Sequence, residues 1–110
     1  MVEEYIRQAI IAFNKKAEED PKLAREMQGI RRTVQIDVTD GESYNFLLDN
    51  ARVSGLQKGR LENPDIRVIA STETFTQLKN GELRPMKALA LKKLQVKASL
   101  EDMLRLRKFF

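Results

Sequence analysis

The feature that most constrains this chain is a change of hydrophobic period at Ile30. From there Ile30, Val34, Ile36 and Val38 share one side of an extended segment, while Arg31, Thr33, Gln35 and Asp37 share the other. Arg32 breaks the apolar side near its start. Asp40-Gly41 reads as a type I′ hairpin turn, whose two central residues need positive φ, and Tyr44, Phe46 and Leu48 resume the alternation beyond it. Asp49-Asn50 suggests a second tight turn into a strand over 52–58, where Gly55 and Gly59 point to a bulge or close packing. Three meandering strands result, with one apolar face and one polar, solvent-facing face. Helices are then needed on one side of the sheet only, which is an α+β layer arrangement.

The residues before Ile30 supply helices for that side. Val2, Tyr5, Ile6, Ala9, Ile10, Phe13 and Ala17 recur at spacings of three and four, along one stripe of an amphipathic helix, with Arg7, Asn14 and Lys15 off it. The expectation for Tyr5 and Phe13 is core packing rather than ligand contact, because burying such a stripe is how helices ordinarily join a core. Asp20-Pro21 reads as an N-cap with proline at the first helical position. A short second helix through Leu23, Ala24 and Met27 should stop at Gly29.

Residues 63–98 read as strand, helix, helix, strand. Asn63-Pro64-Asp65 is a turn, after which Ile66, Val68 and Ala70 alternate with Arg67 and Ile69. Ser71 is placed to cap a helix that carries Phe75 and Leu78 inward, and Asn80-Gly81 ends it. Pro85 opens a short helix, and Leu94, Val96 and Ala98 alternate as a last strand. A fourth strand that continued the meander would not share the common core. A crossover to the far side of the first strand is therefore expected, with the fifth strand beside the fourth.

At these residues the chain resembles the sterol carrier protein 2 (SCP-2) family of lipid-transfer domains. The resemblance is one of order and spacing, carried by Asn63, Pro64 and Asp65, then Ser71 and Phe75, then Gly81, Leu83, Pro85, Lys87 and Ala88, then Lys93, Leu94 and Lys97. Arg84 stands where the family usually has a residue such as Asn, and Lys92 and Ala98 stand where it has glycines. The resemblance implies a five-stranded mixed sheet of order 3-2-1-4-5 with helices packed on one face, an order that local pattern does not fix. It also implies non-enzymatic binding, and transfer, of a hydrophobic ligand such as a fatty acid, acyl-CoA or sterol-like lipid. The chain, 1–110, is read as one such domain.

The tail from Ser99 opens with a capping-box-like Ser99 and Asp102, and it carries Leu100, Met103, Leu104, Leu106, Phe109 and Phe110, more apolar surface than so short a helix needs. It reads equally as a lid over a cavity and as a strut that closes the core. With the lid reading, the expected ligand-binding residues are Phe75, Leu78, Met86, Leu89, Met103, Leu104 and Phe109. Lys92, Lys93, Arg105, Arg107 and Lys108 would then stand near the portal, facing an acidic head group or an anionic membrane surface.

Composition narrows the chemistry. With no cysteine and no histidine there is no disulfide, no Cys/His zinc site and no thiol or imidazole catalyst. The acidic residues are scattered among lysines and arginines without a DxD or ExxE cluster, so neither catalysis, a metal nor a cofactor is expected. The net charge of +4 favours anionic surfaces in general. Nucleic acid is not an expected partner, since no strand combines aromatic and basic residues as single-stranded RNA readers do. The start, Met1-Val2-Glu3-Glu4, is acidic where a secretory signal is basic, and no apolar run approaches the roughly 20 residues that cross a bilayer. A cytoplasmic location is expected. The competing reading is a structural or protein-interaction module of the same fold that partners an enzyme.

Overall fold

The computed structural model describes residues 2–106. In chain order the elements are α1 (Val2–Glu19), α2 (Pro21–Glu26), β1 (Arg31–Val38), β2 (Ser43–Asp49), β3 (Arg52–Lys58), β4 (Ile66–Ala70), α3 (Thr72–Lys79), α4 (Pro85–Ala90), β5 (Leu94–Lys97) and α5 (Leu100–Leu106). The strands form one sheet of order β3-β2-β1-β4-β5. β1 and β4 are parallel and every other neighbouring pair is antiparallel, so the sheet is mixed and β4 has crossed to the far side of β1 as expected.

Short polar side chains start the helices where the sequence places them. Asp20 Oδ1 accepts from the N–H groups of Lys22 and Leu23 at 3.0 and 3.2 Å, and Pro21, which has no N–H, takes the first helical position. Ser71 Oγ accepts from Thr74 N–H at 3.1 Å, and Ser99 Oγ accepts from Asp102 N–H at 3.1 Å. Asp40 also serves α3, its Oδ1 accepting from Thr72 N–H at 2.8 Å. That bond to Thr72 is the main reason the Asp40 carboxyl lies below its ordinary range.

Two turns exchange the roles the sequence suggests. Neither Asp40 nor Gly41 has positive φ, so the β1–β2 connection is not a type I′ turn. Gly41 instead lies close against Val38, where a Cβ would come within 3.2 Å of Val38 Cγ1. The pair with both φ values positive is Asn50 (50°) and Ala51 (65°), between β2 and β3. Asn50 tolerates this region, and its Oδ1 accepts from Gly29 N–H at 2.7 Å, tying the turn to the end of α2. The expected bulge is present. Pairing steps from Asn45–Gln57 to Leu47–Ser54, and Gly55 at φ 72° lies in the extra length.

The middle of the sheet's polar face is covered, while Ser54 and Gln57 on one side and Gln95 and Lys97 on the other remain exposed. The 59–65 connection that carries the chain from β3 to β4 crosses that middle, with Leu61 N–H donating to Gln35 Oε1 at 2.6 Å and Asn45 Nδ2 donating to the Gly59 carbonyl at 3.1 Å. Gln35, Asp37 and Asn45 are consequently buried. They remain there because they are satisfied. Asp37 accepts from Gln35, Ser43 and Arg67, and Gln57 Nε2 donates to Asn45 Oδ1. Asp65 pins the end of the crossing, since its carboxylate accepts from both the N–H and the hydroxyl of Thr33.

The apolar face carries the helices, and its core is divided. One buried cluster joins Val2 and Ile6 of α1 to Ile36, Val38, Tyr44, Ala70, Phe75, Ala88 and Leu94. A second joins Ala17, Leu23 and Met27 to Leu48, Ala51 and Val53. Domains of this size usually have one contiguous cluster. Here Ile10 and Phe46 touch both clusters, yet each remains partly exposed. That gap positions the site.

Candidate functional site

Between the two clusters lies a cavity of about 350 Å³. Its floor is the apolar row of every strand: Val34 and Ile36, Phe46 and Leu48, Val53, Ile66 and Val68, and Val96. The period-two alternation delivers all eight to the same face. Its wall is the stripe of α1, with Tyr5, Ile6, Ala9, Ile10 and Phe13. Met27, Phe75 of α3 and Leu106 of α5 complete it. The Tyr5 hydroxyl is the one polar side-chain group among these residues, and burial pushes its pKa up. The Tyr5 and Phe75 rings lie 6.3 Å apart at 54°, within the tilted range that aromatic pairs favour.

An apolar space of this size lies within the roughly 300–1,000 Å³ of small-molecule sites. It offers hydrophobic surface and, apart from the Tyr5 phenol, no nucleophile, acid or base among its lining residues. Among the described residues no three Asp or Glu side chains converge as a metal site would require, and no helix is long and apolar enough to cross a membrane.

Of the residues expected to bind a ligand, Phe75 lines the cavity. Leu78 and Leu89 pack, half-buried, against the first core cluster, while Met86, Met103 and Leu104 are exposed. Phe109, with Arg107 and Lys108, lies outside the described residues. Lys92 and Lys93 line a separate, mainly polar hollow of about 310 Å³ beside the start of α3, with Thr39, Glu73, Thr74, Gln77 and Gln95. Arg105 is on α5, where its Nη1 donates to Asp102 Oδ1 at 2.7 Å. Asp102 is itself buried and also accepts from Arg32 Nε at 2.8 Å, so the charge that interrupts the apolar row of β1 is the one that docks α5. The bond to Asp102 is also the main reason the Arg32 pKa is raised.

The α1 side chains are the part of the wall that sequence reasoning assigned to the core. A stripe buried against a sheet and a stripe facing a cavity have the same period, so periodicity does not separate them. One signal was present: Ala9, a small residue in mid-stripe, leaves room between Tyr5 and Phe13.

Comparison with known proteins agrees with this fold. None of the curated protein sequences matches. Among solved structures, the palmitated SCP2L2 of Aedes aegypti is similar with a TM-score of 0.67 and 20% identity, over 96% of this chain and 91% of that one. A sterol carrier protein 2 structure gives a TM-score of 0.61 and 18% identity, over 87% and 81%. The sec-alkylsulfatase Pisa1 from Pseudomonas sp. is similar over 74% of this chain, with a TM-score of 0.56 and 14% identity, but the chain spans only 13% of that enzyme's length. At these identities the likeness concerns the fold. The model of the SCP-2 sterol transfer family matches residues 13–110, nearly the whole chain, and the chain belongs to that family.

Proposed function

We propose that the protein binds a water-insoluble lipid in the cavity between α1 and the sheet, and carries it without chemical change. The observation that supports this reading is the cavity lining, which is apolar throughout except for one phenol. Burying an acyl chain there is favourable by roughly 0.8 kcal/mol per CH₂, so affinity needs no specific polar contact and selectivity among chain lengths is loose. The Aedes aegypti structure, described as palmitated, supports a fatty acyl chain as the ligand class. Phe75 holds the chain directly. Leu78 and Leu89 back the wall, and Met86 lies out on the surface. Exposed Leu100, Met103 and Leu104 on α5 suit transient contact with a membrane during transfer.

The test is native mass spectrometry of the full chain purified without added lipid, together with displacement of Nile red by unlabelled lipids. A carried lipid, or saturable displacement at one site, is the expected result. The absence of both for fatty acids, acyl-CoA and sterols would move the reading to the interaction-module alternative. That alternative draws on the likeness to a 13% portion of an alkylsulfatase, in which this fold is one part of a larger enzyme.

A further inference from the structure

The polar hollow beside the start of α3 lies on the other face of the sheet from the apolar cavity. Its floor includes Ile69 and Gln95, cross-strand partners on β4 and β5, whereas the adjacent pair Val68 and Val96 faces the cavity. The two spaces share no lining residue. One wall is the first turns of α3, with Ser71, Glu73, Thr74 and Gln77, and the other is Lys92 and Lys93. The backbone of the lysine wall is fixed, since Lys92 N–H donates to the Leu89 carbonyl at 3.1 Å and Lys93 N–H to the Ala88 carbonyl at 2.9 Å. Lys92 is held there in the left-handed region, at φ 61°, which residues with a Cβ rarely adopt.

Exposed lysines are ordinarily solvated and no more. What sets these apart is the company they keep without touching. Arg7 pairs with Glu3, Arg52 with Glu18 and Lys58 with Glu42 on the exposed surface, whereas Glu73, Lys92 and Lys93 line one hollow and, among the described residues, form no ion pair. The Gln77 and Gln95 side chains that line it make no hydrogen bond there either. The start of α3 is not the source of attraction, because Asp40 and Ser71 already accept from the Thr72 and Thr74 N–H groups. We infer that the hollow binds a small phosphorylated polyol, its phosphate held by Lys92 and Lys93 and its hydroxyls by Glu73, Gln77 and Gln95. Two ammonium groups side by side suit a phosphate monoester. A carboxylate facing them repels a bare anion but accepts from hydroxyls, and the two side-chain amides donate and accept. At about 310 Å³ the hollow is at the lower end of the roughly 300–1,000 Å³ of small-molecule sites, which suits one monosaccharide-sized ligand. The same chemistry occurs on a free sugar phosphate and on a phosphoinositide head group.

The test follows the amide NMR signals of the isotope-labelled full chain at about pH 7, where a phosphate monoester is mostly dianionic. Glucose 6-phosphate should shift the signals of Thr74, Gln77, Lys93 and Gln95 saturably, and bind at least about tenfold more tightly than inorganic phosphate or glucose. Lys92→Gly should weaken that binding at least about tenfold while the thermal midpoint holds or rises, which separates lost recognition from lost folding. Glu73→Gln should narrow the preference for glucose 6-phosphate over inorganic phosphate, since it removes the hydroxyl acceptor and the repulsion of a bare anion together. Flotation with phosphatidylcholine vesicles is the second arm. Flotation that needs added phosphatidylinositol 4-phosphate and is lost in Lys92→Gly assigns the group to a membrane head, and glucose 6-phosphate binding without flotation assigns it to a soluble ligand. Neither saturable shifts nor such flotation, equal binding of inorganic phosphate, or unchanged binding in a folded Lys92→Gly variant overturns the proposal. Nile red in the apolar cavity should stay bound throughout, so the lipid reading stands or falls separately.

Discussion

Asn14 joins α1 to the edge of the sheet through two hydrogen bonds to one residue: its Nδ2 donates to the Val53 carbonyl at 2.9 Å, and its Oδ1 accepts from the Val53 N–H at 2.8 Å. The side-chain amide completes the backbone pairing that an edge strand lacks. Val53 belongs to the cavity floor, and Phe13, next to Asn14, belongs to its wall. This clip therefore sets the separation of helix and sheet on that side.

Replacing Asn14 with Ala leaves the Val53 N–H and carbonyl partly buried without partners. The expected loss of stability is about 1–3 kcal/mol. A urea titration should show a lower midpoint at unchanged slope, because the surface exposed on unfolding stays the same. An unchanged midpoint would mean that water replaces the clip at no cost.

Val68 lies on the floor and is only half-buried, so the space above it is unfilled. Val68→Phe should occupy that space, lowering lipid affinity at least about tenfold while the thermal midpoint holds or rises. Dye displacement and a thermal melt check the two halves separately. Full lipid affinity in a folded Val68→Phe variant would place the ligand elsewhere.

Acid should weaken the fold through Asp37. Burial acts to raise its pKa, but hydrogen bonds from Ser43, Arg67 and Gln35 outweigh that and hold it below the usual carboxylate range. With the folded value below the unfolded one, its contribution is fully present above about pH 4 and is lost as pH falls through the lowered value. Denaturant midpoints measured down this range should fall, and Asp37→Asn should flatten part of that slope. An identical slope in the variant would assign the acid sensitivity to other carboxylates.

Lys92 has a φ of 61°, the left-handed region, where the resemblance places a glycine. Its side chain is exposed, so substitution removes little packing. Lys92→Gly should raise stability by about 1 kcal/mol, since left-handed backbone costs a residue with Cβ roughly that much. A thermal melt is sufficient to check it, and a lower midpoint would show that the lysine side chain contributes more than the strain it carries.

The elements were legible because each depends on neighbours in sequence. The alternation of Ile30 to Val38, the stripe from Val2 to Ala17, and the caps at Asp20, Ser71 and Ser99 are local patterns that stay the same whatever packs against them. Turn chemistry was less so. Asp40-Gly41 and Asn50-Ala51 are both plausible sites for a tight turn, and it was the position of Asp40 against Thr72 and of Asn50 against Gly29 that settled their conformations. Both contacts cross more than twenty residues.

The site was less legible still. Phe75 was among the expected residues and lines the cavity, but Tyr5, Ile10 and Phe13 could not be told from core residues. A cavity is a distance between layers, and composition does not state a distance. The partner of Arg32 is 70 residues away, and the cover over Gln35 and Asp37 is a connection whose path follows from strand order. The sequence by itself determined which surfaces are apolar and which segments are extended or helical. Only the tertiary structure decided where the apolar surfaces fail to meet, because that depends on how far α1 and α5 are held from the sheet by Asn14 and Asp102.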